Sequence, residues 1–588
     1  MFKLFKNLKK TECTLALLAL IFIVLQVWLD LTMPEYMAEI TSLVQMEGST
    51  MGEILSAGAK MLICALGSLT ASVITAVCAA KIAAVFGGTL RGKLFRKVQS
   101  FSMEEIGRFS TASLITRSTN DVTQVQTLIA MGLQMLVKAP VMAVWAVCKI
   151  ADKQWQWTLT TGVAVAVLLI EVGISLIIVM PKFKKMQALT DDVNRVTREN
   201  LTGLRVVRAY NAEEYQKAKF EHANQALTST YLFAQRAMSF MMPSIQLIMS
   251  GLSLAIYWIG AVVINEAGMV DKISLFSDMM VFSQYAIQVV MAFMMLVMIF
   301  MILPRASVSA KRIGEVLDTE PTVIDGTAVC GQQGRSGEVE FRNVSFRYPD
   351  AGEYVLRDIT FKAAQGETVA LIGSTGCGKS TVIHLIPRFY DVTEGQVLVD
   401  DVDVREYAQP SLRAKIGYVS QKAALFTGTI RSNIAYGDHG RDVSDEDVEA
   451  AAVTAQAENF IKRMEKSFDS HVAQGGTNFS GGQKQRISIA RALMKDAPIL
   501  ILDDSVSAVD TRTEAAILEN LRTARQGKTT ILIAHRVTTI EKMDKILFVE
   551  DGELVAAGPH KELYDSCPEY RKMVDLQKLE EEGDASNE

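Results

Sequence analysis

The sequence predicts two domains of different fold class: an all-α transmembrane domain of six helices, followed by a soluble α/β domain. The chain has 588 residues, which is too many for one hydrophobic core. Hydrophobic residues make up 49% of it and charged residues 21%, and the two kinds are segregated along the chain. Long apolar runs fill residues 1–304, whereas residues 335–588 have the pattern of a soluble α/β protein. The net charge of −5 gives no general case for nucleic-acid binding.

Six apolar stretches are long enough to cross a membrane. A hydrocarbon core about 30 Å thick needs roughly 20 apolar residues of helix. The predicted spans are 13–33, 58–86, 136–151, 157–180, 237–265 and 279–304. The third has the weakest pattern because Lys138 interrupts it.

Lysine and arginine cluster at three places that we expect to face the cytoplasm, because cytoplasmic loops carry an excess of these residues. The clusters precede the first span and follow the second and the fourth: Lys3, Lys6, Lys9, Lys10, Arg91, Lys93, Arg96, Lys97, Lys182, Lys184 and Lys185. Both termini and the soluble domain are therefore predicted to be cytoplasmic. The seven cysteines are scattered without metal-ligand spacing, which predicts free thiols in a reducing compartment.

The two inner connections, 91–135 and 181–236, are long and polar, and we expect them to extend the membrane helices into the cytoplasm. Residues 1–12 have the pattern of a basic amphipathic elbow helix on the inner leaflet. The predicted domain limits are 1–310 for the transmembrane domain, 311–335 for a linker, 336–578 for the soluble domain and 579–588 for an acidic tail.

A glycine-rich loop in the second domain predicts a phosphate-binding site. It follows an apolar strand pattern that begins at Thr368 and precedes a helical stretch from Val382. Its residues match G-x-x-x-x-G-K-[ST]: Gly373, Ser374, Thr375, Gly376, Cys377, Gly378, Lys379 and Ser380, followed by Thr381. The glycines let backbone N–H groups surround phosphate oxygens. Lys379 would then reach the β- and γ-phosphates of a nucleotide, and the Ser380 hydroxyl would bind Mg²⁺.

A second buried strand pattern begins at Pro498 and ends in Asp503. Ligands of parallel α/β sheets bind beyond the carboxyl ends of the strands, so Asp503 is placed to hold the same Mg²⁺ ion. The second domain is therefore predicted to be a P-loop NTPase.

A third motif closely resembles the signature of ATP-binding cassette (ABC) proteins. It comprises Ser480, Gly481, Gly482 and Gln483, preceded by Asn478 and Phe479. The resemblance covers nearly the whole chain and implies a half-transporter of the six-helix exporter class. It implies that Tyr348 stacks on adenine, that Gln421 senses Mg²⁺ and the attacking water, that residues 507–510 form the D-loop and that His535 is the switch histidine. It also places coupling helices near Ser110–Asp121 and Asn200–Asn211.

One position departs from the family pattern. Hydrolytic members have Glu directly after the Mg²⁺-holding Asp, whereas this chain has Asp504. Its side chain is one methylene shorter, and misplacement by about 1 Å can cost about a hundredfold in rate. The sequence favours a slow, degenerate ATP site completed by a distinct partner chain, as in bacterial heterodimeric exporters. A conservative acid exchange that still supports hydrolysis is the alternative.

The membrane half offers weaker signals for a substrate cavity. One face of the sixth span carries amide and thioether side chains: Gln284, Gln288, Met291, Met295 and Met298. Such a face suits many apolar shapes, although ordinary helix packing explains it equally well. Lys138 and Glu171 are charges deep in the third and fourth spans. They could pair across neighbouring helices, or each could reach the interface alone.

The resemblance implies an ATP-hydrolysing transporter with ATP and Mg²⁺ as cofactors. We expect export of drug-like or lipid-like amphipathic molecules across the cytoplasmic membrane of a bacterium. The expected partners are a second half-transporter, the lipid bilayer and the transported molecule, with no nucleic acid. A homodimeric lipid or peptide exporter and a regulatory, ATP-gated subunit are the alternatives.

Overall fold

A computed structural model describes residues 10–46, 48–151, 153–268, 271–349, 351–437 and 442–585. Its contacts divide the chain into two compact units. The first comprises residues up to Gln99 together with Ala112–Thr319, and the second comprises Ser100–Thr111 together with the chain from Glu320 onward.

The first unit is helical, and its described residues include six helices long and apolar enough to cross a membrane. Each predicted span lies within one of these helices. Numbered along the chain together with three short helices, they are α1 (Lys10–Gln45), α2 (Met51–Gln99), α3 (Met103–Phe109), α4 (Thr111–Thr116), α5 (Val122–Ala151), α6 (Trp155–Thr202), α7 (Leu204–Ala209), α8 (Glu213–Glu266) and α9 (Asp271–Asp318). Of the short helices, α3 belongs to the second unit. The polar connections 91–135 and 181–236 are largely helical extensions of the spans. Most of the predicted elbow, residues 1–9, lies outside the described residues.

The first predicted coupling segment, Ser110–Asp121, is not a separate helix. Its residues from Thr111 onward form α4 and one π-helical stretch that continue into α5, whereas the separate short helix is α3. A capping box in which Ser102 and Glu105 exchange hydrogen bonds starts α3, and Ser110 ends it in the left-handed region at φ 58°. In the second segment, α7 is a short helix that ends before Asn211 at φ 50°.

The second unit contains a parallel sheet with helices on both faces. Its strands are β1 (Val339–Phe346), β2 (Leu356–Ala363), β3 (Thr368–Ile372), β4 (Glu394–Val399), β5 (Val402–Asp403), β6 (Ile416–Val419), β7 (Gly428–Thr429), β8 (His471–Val472), β9 (Ile499–Leu502), β10 (Thr529–Ile533), β11 (Lys545–Glu550) and β12 (Glu553–Gly558). The main sheet has the order β12-β11-β3-β10-β9-β6, with only β12 antiparallel to its neighbour. A second, antiparallel sheet has the order β2-β1-β4-β5.

The helices of this unit are α10 (Lys379–Leu385), α11 (Gln409–Ala414), α12 (Ile430–Ile434), α13 (Asp445–Thr454), α14 (Glu458–Lys462), α15 (Gly481–Met494), α16 (Thr511–Ala524), α17 (Val537–Ile540), α18 (His560–Ser566) and α19 (Pro568–Ala585).

The central strands are apolar without alternation because both faces of the sheet are covered. In β9, Ile499 and Ile501 pack into one hydrophobic cluster, while Leu500 and Leu502 pack into another. β3 and β10 divide their residues between the same two clusters. The sheet therefore holds the carboxyl ends of β3, β9 and β10 rigidly side by side. The glycine-rich loop follows β3, Asp503 and Asp504 follow β9, and His535 follows β10.

Candidate nucleotide-binding site

The glycine-rich loop after β3 adopts a backbone that its glycines make possible. Gly373, Gly376 and Gly378 have φ angles of 150°, 88° and 101°. A Cβ atom on Gly373 would lie 1.9 Å from the Val549 carbonyl oxygen, so any larger residue would displace the loop. A Cβ on Gly376 would meet nothing within 4 Å. The loop thus turns tightly at its base and is open at its tip, as a phosphate-binding loop requires.

Lys379 opens α10 and turns back over this loop. It is only 6% exposed, and its Nζ donates hydrogen bonds to the carbonyl oxygens of Gly373 at 2.9 Å and Ser374 at 2.7 Å. The Cys377 Sγ atom lies 3.6 Å from the same ammonium and is itself buried. The ammonium is therefore held at the loop, where it would meet phosphate oxygens.

Asp503 lies directly after β9 and its carboxylate is almost completely buried. One oxygen accepts a hydrogen bond from the Ser380 hydroxyl at 3.0 Å. The other accepts from the Tyr418 hydroxyl at 3.2 Å and lies 3.3 Å from His384 Nε2. The structure thus joins the two predicted Mg²⁺-binding residues, Ser380 and Asp503, across the ends of α10 and β9.

Tyr418 and His384 were not predicted from the sequence. Tyr418 lies on β6, beside β9 in the sheet, and burial together with the neighbouring Asp503 carboxylate raises the pKa of its hydroxyl. It therefore remains a hydrogen-bond donor to Asp503 at neutral pH. Only the pairing of β6 with β9 could have indicated this role, because no motif surrounds Tyr418 in the sequence.

Two predicted residues, Gln421 and His535, converge from separate loops on the next carboxylate, that of Asp504. Asp504 accepts a hydrogen bond from the Gln421 amide at 3.2 Å, and its other oxygen lies 3.6 Å from His535 Nε2. The backbone of Asp504 is left-handed, with φ 46°. Among residues other than glycine, Asp and Asn adopt this region most readily. The local backbone therefore suits the Asp that the sequence has here.

The signature motif forms the start of α15. Ser480 is its N-cap, accepting from the Gln483 N–H at 3.3 Å while its own N–H donates to the Gln483 side chain at 3.0 Å. Gly482 packs against the D-loop, where an added Cβ would lie 2.9 Å from the Ala508 carbonyl oxygen. Gln485 accepts from the Ala508 N–H at 3.1 Å. The signature and the D-loop of one chain are therefore fixed to each other.

Comparison with known proteins agrees with both halves of this architecture. The family model "ABC transporter transmembrane region" matches residues 16–293, and the model "ABC transporter" matches residues 356–507. An uncharacterized ABC transporter ATP-binding protein, MT1311 of Mycobacterium tuberculosis, is 36% identical over 94% of both chains. The chain belongs to the ABC transporter family.

Other relatives are exporters. The ATP-dependent lipid A-core flippase of Pseudomonas putida is 34% identical over 84% of this chain and 80% of its own length. The solved structure of a bacterial Atm1-family ABC exporter with ATP bound has a TM-score of 0.80 and 25% identity, covering 97% of this chain and 98% of its own. This ABC transporter therefore has the half-transporter architecture of the exporters, which work as dimers in a lipid bilayer, and it is a multi-pass membrane protein.

The predicted adenine-stacking residue of the ABC transporter lies in an aromatic cluster beside the P-loop helix. The Tyr348 ring centroid is 4.9 Å from that of Phe346 and 5.3 Å from that of Tyr390, both in edge-on contact. Its hydroxyl lies 3.1 Å from the Thr381 hydroxyl. The ring is only partly buried, so one surface stays available to a base.

In the membrane unit of the transporter, one face of α9 is packed against neighbouring helices and another face is exposed. Phe282 and Tyr285 are buried, whereas Gln284 is exposed and Met291 is 37% exposed. The remaining members of the predicted cavity face are half-buried: Gln288, Met295 and Met298. This face of the sixth span is thus not filled by its own chain.

Lys138 and Glu171, for which the sequence left a mutual pair or separate positions open, do not pair with each other. Lys138 Nζ lies 3.3 Å from a carboxylate oxygen of Asp30. Glu171 instead accepts a hydrogen bond from the Ser244 hydroxyl on α8. The third span packs against the first, second and sixth, while the fourth span packs chiefly against the fifth, so the two charges face different neighbours.

Proposed function

We propose that this chain is the degenerate half of a heterodimeric ABC exporter that moves amphipathic small molecules out of the cytoplasm. The observation that carries the proposal is Asp504, which occupies the position of the catalytic Glu. The P-loop site of this chain would bind ATP but hydrolyse it slowly. The signature of this chain would complete a fast site on the partner chain.

The residues of the P-loop site fit a Mg²⁺-nucleotide. Lys379 offers an ammonium at the loop, and the Ser380 hydroxyl and the Asp503 carboxylate form the oxygen pair that Mg²⁺ prefers. Tyr348 would carry the adenine. The bound ion would neutralise phosphate charge as it develops during transfer.

The contacts of Asp504 support slow hydrolysis at this site. A shorter side chain keeps its carboxylate close to its own backbone, where it accepts from the Gln421 amide and lies near His535. A water-orienting group must be within hydrogen-bond reach of the attacking water, and a displacement of about 1 Å can cost about a hundredfold. The site would then contribute ATP binding and dimer closure more than turnover.

The substrate class rests on the open face of α9. Amide and methionine side chains at Gln284, Gln288, Met291, Met295 and Met298 would adapt to apolar bodies of many shapes. The flippase relative acts, by its name, on lipid A-core. The basic connections and the bacterial relatives support the cytoplasmic membrane of a bacterium, with both termini inside.

The test uses the chain co-expressed with its partner and compares single changes at the two composite sites. Asp504→Asn should lower ATP turnover by less than about fivefold, or about 1 kcal/mol of barrier. The Glu→Gln change after the partner's Mg²⁺-holding Asp should cost about 10²–10⁴-fold. Ser480→Ala should also be severe, because it damages the fast site.

A matched control for Ser480→Ala is Ser444→Ala. Ser444 caps α13 with the same capping box but belongs to no signature, so its loss should leave turnover unchanged. Equal loss of activity from Asp504→Asn and from the partner's Glu→Gln would show two equivalent sites. Vigorous hydrolysis by this chain purified alone would favour a homodimer.

A further inference from the structure

A charged pair lies among the transmembrane helices, where four spans meet. Asp30 on α1 and Lys138 on α5 form the 3.3 Å ion pair, and their side chains are 19% and 20% exposed. The Ser68 hydroxyl of α2 donates to the other carboxylate oxygen of Asp30. The Gln288 amide of α9 donates to the Asp30 backbone carbonyl at 3.2 Å. We call these four residues the Asp30 cluster.

A contribution to stability does not explain the Asp30–Lys138 ion pair. Charged residues within membrane spans are costly, and those that persist usually mark the path of a substrate or ion. Replacing a buried ion pair with neutral residues of similar volume is often neutral or stabilising. The cost of the Asp30 cluster therefore calls for a function.

The cluster has hydrogen-bonding capacity left for a ligand. Gln288 Oε1 is buried, and no donor reaches it in the part of the chain that the structure describes. The Lys138 ammonium has three N–H groups, of which the ion pair with Asp30 occupies one. The cluster thus combines a free acceptor with donors that can take a second partner.

Gln288 also connects the cluster to the open face of α9. Gln284 and Met291 lie about one turn to either side of it on the same face, and both are exposed. The polar cluster therefore lies at the edge of the surface that we propose to face the transported molecule.

We propose that the Asp30 cluster anchors the head group of the transported molecule and selects a zwitterionic head. This inference rests on the proposed export of amphipathic molecules. The Asp30–Lys138 pair has no net charge, so a head with net charge would leave one charge unmatched in a partly buried site. A zwitterionic head matches both: its anionic part accepts from Lys138, while its ammonium donates to Gln288 Oε1 and the Asp30 carboxylate.

The test compares three amphiphiles with the same alkyl chain, whose heads are phosphoethanolamine, phosphate alone and ammonium alone. Each displaces a fluorescent amphiphile from the full-length complex in detergent, so binding is measured without ATP hydrolysis. We expect the phosphoethanolamine amphiphile to bind at least about tenfold more tightly than the others, which corresponds to about 1.4 kcal/mol.

Variants should change this selectivity in opposite directions. Lys138→Met leaves Asp30 without its counter-charge and should favour the ammonium head, whereas Asp30→Asn should favour the phosphate head. The double variant Asp30→Asn/Lys138→Met leaves no unpaired charge and should lose the preference for the zwitterion. Thermal melting with and without Mg-ATP checks that each variant is folded.

The control is Lys153→Met/Asp278→Asn, which removes a 2.6 Å ion pair with more exposed side chains and should keep the wild-type preference. If the double variant at the Asp30 cluster binds all three heads as the wild type does, the cluster is structural only, while amphipathic export stands. If none of the three amphiphiles binds the wild type, both the amphipathic substrate class and the anchor are refuted.

Discussion

Replacing Glu514 with alanine should loosen two loops of the proposed catalytic site at once. Glu514 on α16 is 5% exposed and accepts from Arg536 Nη1 at 3.2 Å and from the Thr539 hydroxyl at 2.7 Å. Arg536 also donates to the Thr511 hydroxyl at 2.7 Å. Arg536 directly follows His535, the proposed switch residue, and Thr511 directly follows residues 507–510, the proposed D-loop. Glu514 and Arg536 therefore connect the two loops through hydrogen bonds.

The size of the effect follows from these contacts. A hydrogen bond to a charged group contributes about 1.5–3 kcal/mol, and both bonds that Glu514 accepts are of this kind because its carboxylate is the acceptor. Arg536 keeps Thr511 as a partner and is 41% exposed, so water can replace part of what it loses. We expect a loss of about 3 kcal/mol in the free energy of unfolding of the nucleotide-binding unit. For a unit of this size that is a fall in Tm of about 6–12 °C.

Scanning calorimetry of the purified full-length protein measures this fall. The transition of the nucleotide-binding unit is the one that Mg-ATP shifts upward, since a ligand that binds the native state stabilises it. Glu519→Ala is the matched control, because it makes the same substitution on an exposed residue of the same helix. If the Glu514 and Glu519 variants melt within about 2 °C of each other, the bridge carries no stability and the reasoning fails.

Three further predictions concern the same unit. Burial raises the pKa of the Glu105 carboxyl, but hydrogen bonds from Ser102 and Thr322 outweigh it and leave the pKa below its ordinary value of 4.5. Glu105 thus adds stability above pH 4.5 that is lost as pH falls through its lowered pKa, and hydrogen exchange of α3 should rise there in the wild type but not in Glu105→Gln. Cys377 should react slowly with maleimide because it is 5% exposed, and more slowly still with Mg-ATP; rapid labelling in mass spectra would contradict its burial. Gly482→Ala should push on the D-loop and lower ATPase activity at least about tenfold, a barrier change of about 1.4 kcal/mol. Gly481→Ala should be milder, because its Cβ would have only a 3.8 Å contact. Equal rates for the two variants would refute this prediction.

The contacts of the P-loop residues illustrate how much of the site the sequence could predict. The loop from Gly373 to Thr381 is contiguous, and its backbone is dictated by its own glycines, so its position after a strand could be predicted locally. The proximity of Ser380 to Asp503 was expected, because both were predicted to hold one Mg²⁺ ion at the carboxyl ends of the same sheet, whereas their direct hydrogen bond was not predicted. Tyr418 and His384 could not be predicted as partners of Asp503, since no local pattern announces them.

The sequence by itself determined the six spans, the α/β domain and the order of the nucleotide-binding motifs. Each of these depends on a continuous run of residues: apolar length for a span, a buried strand and its loop for a motif. The tertiary structure alone decided which side chains meet across helices. It paired Lys138 with Asp30 and Glu171 with Ser244, because helix packing sets which faces touch. It also ended α3 at Ser110, where the left-handed backbone separates a short helix from the third span.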